Sequence, residues 1–325
     1  MEAVAPRDTA PSAPPHAPEA GWARRLLGPF YVTGVFWFRF HRFGVRVLPQ
    51  WGLRLTLLVF TSFFFVALRN IRAAVADNLV PVLGPCGWWE RQRRIWRTLR
   101  TFAWCLSERY ERLSTDRRFD VSADGLDTWE ELHHSGEGFM MVTAHIGAWE
   151  VGSMMPATRD ARHVHVVREA ETDPRAQEFI SGLIQNAAGA LYTTHFAEDP
   201  QLGMRLLDAL RQGDIVALQG DRPRAGGRKA EVTLFGRPFP LPIGPAILAR
   251  AAGVPILPIF VFREGRLRYR CAIRPPIRVA QTADRTADLE AAARAFAAEL
   301  QAAITHRPHQ WFCFRKVWRA DLPAR

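Results

Sequence analysis

His145 and Glu150 are the pair in this 325-residue sequence whose types and spacing could move a proton. A neutral imidazole near pH 7 can accept a proton from a weak nucleophile, and a carboxylate beside it can fix its tautomer and offset the charge it gains. The pair lies in Gly138-Phe-Met-Met-Val-Thr-Ala-His-Ile-Gly-Ala-Trp-Glu-Val-Gly152. There an apolar run stops at the histidine, and a helical turn after Gly147 would let the carboxylate swing back toward the ring. The chain holds 10 His and 32 acidic residues, so about one histidine should meet an acid at the fifth following position by chance. The spacing therefore also fits a core-edge histidine bonded to a nearby carboxylate.

A second block with chemical potential is Leu218-Gln-Gly-Asp-Arg-Pro-Arg-Ala-Gly-Gly-Arg-Lys229, which gathers Asp221, Arg222, Arg224, Arg228 and Lys229 around two glycines. Such a loop can grip a phosphate or an oxyanion, and can equally be a solvated basic turn. His163-x-His165 would share one face of a strand; metal ligation and an edge histidine pair are both open, and no metal is expected. The Pro-rich stretch 235–245 reads as a loop, either a groove wall for an acyl chain or a packed connection. No GxSxG elbow, P-loop or GxGxxG after a strand is present, which removes the usual support for a serine hydrolase, an NTPase or a Rossmann dehydrogenase.

These groups need a frame, and residues 119–325 alternate strand and helix patterns. Strands are expected over 139–144, 163–168, 214–219 and 231–235, with a hairpin of 254–262 and 267–273 over Glu264-Gly265. Asp173-Pro174 and Asp199-Pro200 each supply an acidic cap and a first-turn proline, with Gly189 and Gly213 as stops, so two helices follow. Further helices are expected over 246–252 and 288–304. The alternation predicts an α/β fold: a mostly parallel central sheet covered by helices, with its site at the carboxyl ends of the strands.

Ahead of that catalytic unit, residues 1–20 are Pro/Ala-rich and read as a disordered tail. Residues 21–118 read as a basic, aromatic helical region: residues 1–120 hold 18 Arg and no Lys against 9 acids, so the remaining 205 residues carry only +2 of the net +11. Aromatics and arginines interleave over 22–48, and 51–68 is apolar with Arg54 as its one charge. Eighteen helical residues reach about 27 Å, marginal for a span and sufficient for one leaflet; a buried core helix has the same composition. Nucleic acid has no use for such a helix beside the basic residues, so a membrane surface is the partner expected of residues 22–72. Residues 88–113 form another amphipathic, Arg-studded helix. Cysteines 86, 105, 271 and 313 make no CxxC pair, which fits a reducing compartment.

In this order, His145-x4-Glu150, Gly220-Asp-Arg222, Leu234-Phe-Gly-Arg-Pro238, Gly253-Val-Pro-Ile-Leu-Pro258 and Pro308-His-Gln-Trp311 resemble the bacterial lipid A biosynthesis (lauroyl/myristoyl-type) acyltransferases. These belong to the wider lysophospholipid and glycerol-phosphate acyltransferase superfamily. The likeness covers about residues 25–318, including the Arg69-Asn-Ile-Arg-Ala-Ala-Val-Ala-Asp-Asn-Leu79 stretch. It implies an acyltransferase moving an acyl chain from an acyl-carrier-protein or CoA thioester to a hydroxyl of a membrane lipid, with no cofactor, at the cytoplasmic face of the inner membrane, held there as a single-pass or monotopic protein. It assigns His145 as base, Glu150 as its acidic partner, and Arg168, Asp221, Arg222, Arg224, Arg228 and Pro258 to substrate binding. The carboxyl-terminal block departs from the family's His-Arg-Arg-like ending, reading Gln310-Trp-Phe-Cys-Phe-Arg-Lys-Val-Trp318. That leaves lysophospholipids, aminolipids and polyene lipids as alternative acceptors beside a lipid A-type precursor. A noncatalytic membrane-associated binding protein is the alternative of another class.

Overall fold

The structure, a computed structural model, describes residues 35–115, 117–149, 162–171, 173–188, 192–223 and 226–318. Seven strands form one sheet: β1 (Asp120–Asp124), β2 (Phe139–Thr143), β3 (Val164–Arg168), β4 (Tyr192–Phe196), β5 (Ile215–Gln219), β8 (Ile256–Gly265) and β9 (Arg268–Ile273). Their order is β1-β9-β8-β2-β5-β3-β4, and β6 (Lys229–Leu234) and β7 (Arg237–Pro242) make a separate antiparallel ribbon. β8, β2, β5, β3 and β4 are mutually parallel, whereas β9 returns antiparallel to β8 and carries β1 parallel to itself.

β2 sits near the centre because its residues can be buried on both sides: Phe139, Met140 and Val142 are essentially inaccessible. Met140 and Val142 face one core with α8 (Gly244–Ala252) and α9 (Arg285–His306), while Phe139 and Met141 face another with Leu132 of α5 (Leu126–His134). α6 (Pro174–Ala188) and α7 (Leu202–Arg211) are the two helices expected after Asp-Pro. Four alanines of α9, Ala292, Ala293, Ala297 and Ala303, are buried in the first core.

Ahead of the sheet lie α1 (Val35–Val47), α2 (Gln50–Ala67), α3 (Arg69–Leu83) and α4 (Trp88–Ser114). α2 is long and apolar enough to cross a membrane by length and composition, and 22% of it is buried. The long α4 ties this region to the sheet through buried acids: Glu108 receives Arg263 Nη2 at 2.8 Å and the Tyr269 hydroxyl, and Glu111 receives Arg266 and Arg117. Asn78 of α3 donates to the carbonyls of Cys313 and Arg315.

Three strands went unread in the sequence. β1 and β4 are sheet edges, short and only partly buried, so they lack an apolar run. β7 occupies the stretch read as a Pro-rich loop, because an edge ribbon tolerates proline, and Phe239 and Leu241 point into the core rather than lining a groove. The hairpin turn falls at Arg266-Leu267, not at Glu264-Gly265, with Leu267 at φ 54.

Candidate active site

Two neighbouring parallel strands bring the site together. β2 and β5 pair in register with Thr143 opposite Gln219, and Gly220 N–H donates to the Thr143 carbonyl at 2.8 Å. Counting two residues past each strand end sets His145 beside Asp221. The imidazole Nδ1 lies 2.7 Å from Asp221 Oδ1, with the histidine partly exposed and the aspartate fully buried. Gly220 makes the approach possible: a Cβ there would meet Val142 Cγ1 at 2.5 Å and the Phe296 ring at 3.2 Å.

The backbone around His145 is clamped by the chain's carboxyl-terminal segment. Phe312 N–H donates to the His145 carbonyl, Gly147 N–H to Gln310 O, and Ala148 N–H to Val261 O. Gly147 adopts φ 55, where a Cβ would collide with the Val261 carbonyl, so glycine is required by both conformation and space. The Gln310 side chain reaches β8, accepting from Arg263 N–H and donating to Arg263 O. Trp311 Nε1 donates to Asp221 Oδ2 at 3.3 Å, and Arg222 Nε stands 3.6 Å from the same oxygen.

Burial by itself would raise the Asp221 carboxyl, but the charges of His145 and Arg222 and the hydrogen bond from His145 outweigh it and hold the group well below the usual carboxylate range. An ionised carboxylate only accepts, so neutral His145 carries its proton on Nδ1 and has Nε2 as its acceptor nitrogen. The arrangement is a positioned base with a buried orienting acid.

Sequence reasoning had given the acidic partner's place to Glu150, which lies outside the described residues, as does Arg224. Among the described residues, the carboxylate on the imidazole is that of Asp221, expected as a substrate contact. Arg222 also braces: its Nη2 donates to Phe312 O at 2.9 Å. Arg168 ends β3 on the far side of β5, where the β3–β5 register, carried on, sets it level with Gln219. Arg228 is exposed at the start of β6. Pro258 is buried within β8 opposite Val142, three residues before His145 is reached along β2. His163 and His165 bond to Thr193, His195 and Asp214 across β3, β4 and the start of β5. Gln310, Trp311, Phe312 and Trp149 are site residues that the sequence reading passed over. The one signal for them was the Pro308-His-Gln-Trp311 block.

From the imidazole a line of aromatic rings leads toward the helical region. Trp149 lies 5.1 Å from the His145 ring, Phe312 6.2 Å from Trp149, and Phe102 of α4 5.2 Å from Phe312. Beyond it an apolar cavity of about 420 Å³ is walled by Phe60, Phe64, Leu99, Phe102, Leu106 and Phe314. Nearby Cys313 is buried, which pushes its thiol up to about 11 and keeps it protonated.

The profile of the bacterial lipid A biosynthesis acyltransferases matches residues 23–320. Phosphatidylinositol mannoside acyltransferases of two Mycobacterium tuberculosis strains are 25% identical over 291 residues, covering 86% of this chain and 86% of theirs. The crystal structure of the 1-acyl-sn-glycerophosphate acyltransferase PlsC from Thermotoga maritima aligns with 77% of this chain and 98% of its own, at 15% identity and a TM-score of 0.35. With the family profile spanning nearly the whole sequence, the chain belongs to the bacterial lipid A biosynthesis acyltransferases and is an acyltransferase enzyme.

Proposed function

We propose that the protein transfers a fatty acyl chain from an acyl-carrier-protein or CoA thioester to a hydroxyl of a membrane lipid, with His145 as general base. The observation that carries this reading is the 2.7 Å contact between Nδ1 of the partly exposed His145 and the buried Asp221 carboxylate, which leaves Nε2 as the ring nitrogen that carboxylate does not engage. The acceptor hydroxyl gives its proton to Nε2 as its oxygen attacks the thioester carbonyl carbon. Asp221 stabilises the imidazolium so formed, the C–S bond then breaks, and the departing thiolate takes the proton back. A positioned base of this kind supplies roughly 10²- to 10⁴-fold of rate. The protonated state of Cys313 supports direct transfer without an enzyme thioester.

The apolar cavity behind Phe102 is the place we assign to the acyl chain, and the exposed apolar face of α2 is what we assign to the membrane. The family match favours a lipid A-type acceptor, and we place the reaction at the cytoplasmic face of the inner membrane. A second acceptor, a mannosylated phosphoinositide, is favoured by the likeness to the mycobacterial phosphatidylinositol mannoside acyltransferases. Purified protein in which His145 is replaced by alanine should still float with lipid vesicles yet transfer acyl chains at under about a thousandth of the wild-type rate. Undiminished transfer would remove His145 from the mechanism, and a wild-type protein that turns over no acyl thioester would point to the noncatalytic binding protein. Lipid mass spectrometry of a deletion strain then names the acceptor by the acyl chain that disappears.

A further inference from the structure

A second cavity, of about 590 Å³, opens where α2, α4 and the β8–β9 turn meet, and four arginines line it: Arg54, Arg100, Arg263 and Arg266. Arg263 and Arg266 are offset by the buried Glu108 and Glu111. Arg54 and Arg100 have no side-chain ion pair or hydrogen bond among the described residues, so two positive charges converge there without an acid. Arg266 Nη1 is buried with no hydrogen-bond partner and stands 3.9 Å from Glu108 Oε1. The Arg263 guanidinium is fixed over the Trp104 ring. Preset forks with a surplus of positive charge and an unused donor match a phosphate group.

We infer that this cavity holds the phosphate of an anionic membrane lipid, at a site distinct from the His145–Asp221 centre. The choice of a lipid over a soluble phosphate ester comes from the rest of the wall. Leu55 and Leu58 line the same cavity and are exposed on the apolar face of α2, continuous with Trp51 and Phe63. A lipid whose phosphate sits on Arg54 and Arg100 lays its acyl chains along those leucines, whereas a soluble ester gains nothing from them. Arg54 is the one charge in an 18-residue apolar helix and lies in its first turns beside Trp51, the depth of lipid headgroups. The site also touches the catalytic frame, since the Arg263 backbone is bonded to Gln310, whose carbonyl holds Gly147.

This inference rests on α2 meeting the membrane, and vesicle flotation at one ionic strength separates the two. Wild-type protein should bind phosphatidylcholine vesicles weakly and phosphatidylglycerol-enriched vesicles more tightly. Arg54→Gln/Arg100→Gln should lower binding to the enriched vesicles roughly thirtyfold, at about 1 kcal/mol per arginine near the surface, and leave the phosphatidylcholine value unchanged. Arg54→Lys/Arg100→Lys keeps the charge and should recover less than half of that loss, because lysine lacks the fork. Arg91→Gln/Arg97→Gln, which removes two exposed arginines of α4 outside the cavity, should change binding less than twofold. Equal losses in the two Gln pairs, or full recovery by lysine, would reduce the effect to diffuse surface charge and overturn the site. Stabilisation by inorganic phosphate that Arg54→Gln/Arg100→Gln abolishes, with vesicle binding untouched, would give the cavity to a soluble phosphate and overturn the lipid assignment. Failure of wild-type protein to bind any vesicle would instead strike the membrane reading of α2.

Discussion

Replacing Asp221 by asparagine tests the site most directly, because the two groups at its carboxylate both demand an acceptor. His145 Nδ1–H points at Oδ1 and Trp311 Nε1–H at Oδ2. Asparagine has a single acceptor oxygen. If that oxygen stays with Trp311, the amide N–H₂ faces Nδ1 and drives the imidazole proton to Nε2, which abolishes the base. If it turns to His145, the tautomer survives, but the buried Trp311 N–H faces a donor and the imidazolium loses its counter-charge. Loss of a charge-assisted hydrogen bond alone costs about 1.5–3 kcal/mol, roughly 10- to 150-fold. Tautomer inversion at a comparable His–Asp pair in serine proteases reaches about 10⁴-fold. We therefore expect kcat to fall by about 10²- to 10⁴-fold with KM for the acyl thioester little changed, measured as labelled acyl lipid formed over time. A kcat within threefold of wild type, together with its loss in Glu150→Gln, would refute the reasoning and hand the orienting role to Glu150.

Three further substitutions probe the frame. Gly220→Ala places a methyl 2.5 Å from Val142 Cγ1 against the Phe296 ring, so it should cost about 1–3 kcal/mol of stability by thermal unfolding and reduce activity by shifting Asp221. Glu108→Gln strips the counter-charge from Arg263 and Arg266 at the junction of α4 with the sheet; a loss of about 3–5 kcal/mol in denaturant unfolding is expected. Burial, aided by Arg97 and Arg94, lowers His309 from its ordinary value to about 4. The unfolded chain therefore takes up that proton first as the pH falls below about 6.5. Stability should drop between pH 6.5 and 4, at no more than about 1.4 kcal/mol per pH unit from this group, and His309→Gln should flatten that slope in pH-dependent urea titrations.

Much of the frame was legible because local chemistry specifies it. The short apolar runs at 139–142 and 256–262 fit strands buried on both faces, and Asp-Pro starts with glycine stops bound α6 and α7 tightly enough to read. The Gly-Asp-Arg turn after β5 and the histidine after β2 were visible as chemical groups at strand ends. The edge strands β1 and β4 escaped, since they gain their hydrogen bonds from strands elsewhere in the chain and carry no strong pattern of their own, whereas β7 pairs with its neighbour β6 but its prolines hide it.

What the sequence determined by itself was the set of reactive residues, their place at strand ends, and the basic, apolar front. It could not pair them. Nearness along the chain is the distance a sequence displays, and it offers Glu150, which lies outside the described residues. Asp221 is 76 positions away, and only the parallel register of β2 with β5, fixed by hydrogen bonds across the sheet, brings its carboxylate to 2.7 Å. The clamp from Gln310, Trp311 and Phe312 is likewise a product of the tertiary fold, because buried backbone groups past the end of β2 must find partners, and the nearest ones come from the far end of the chain.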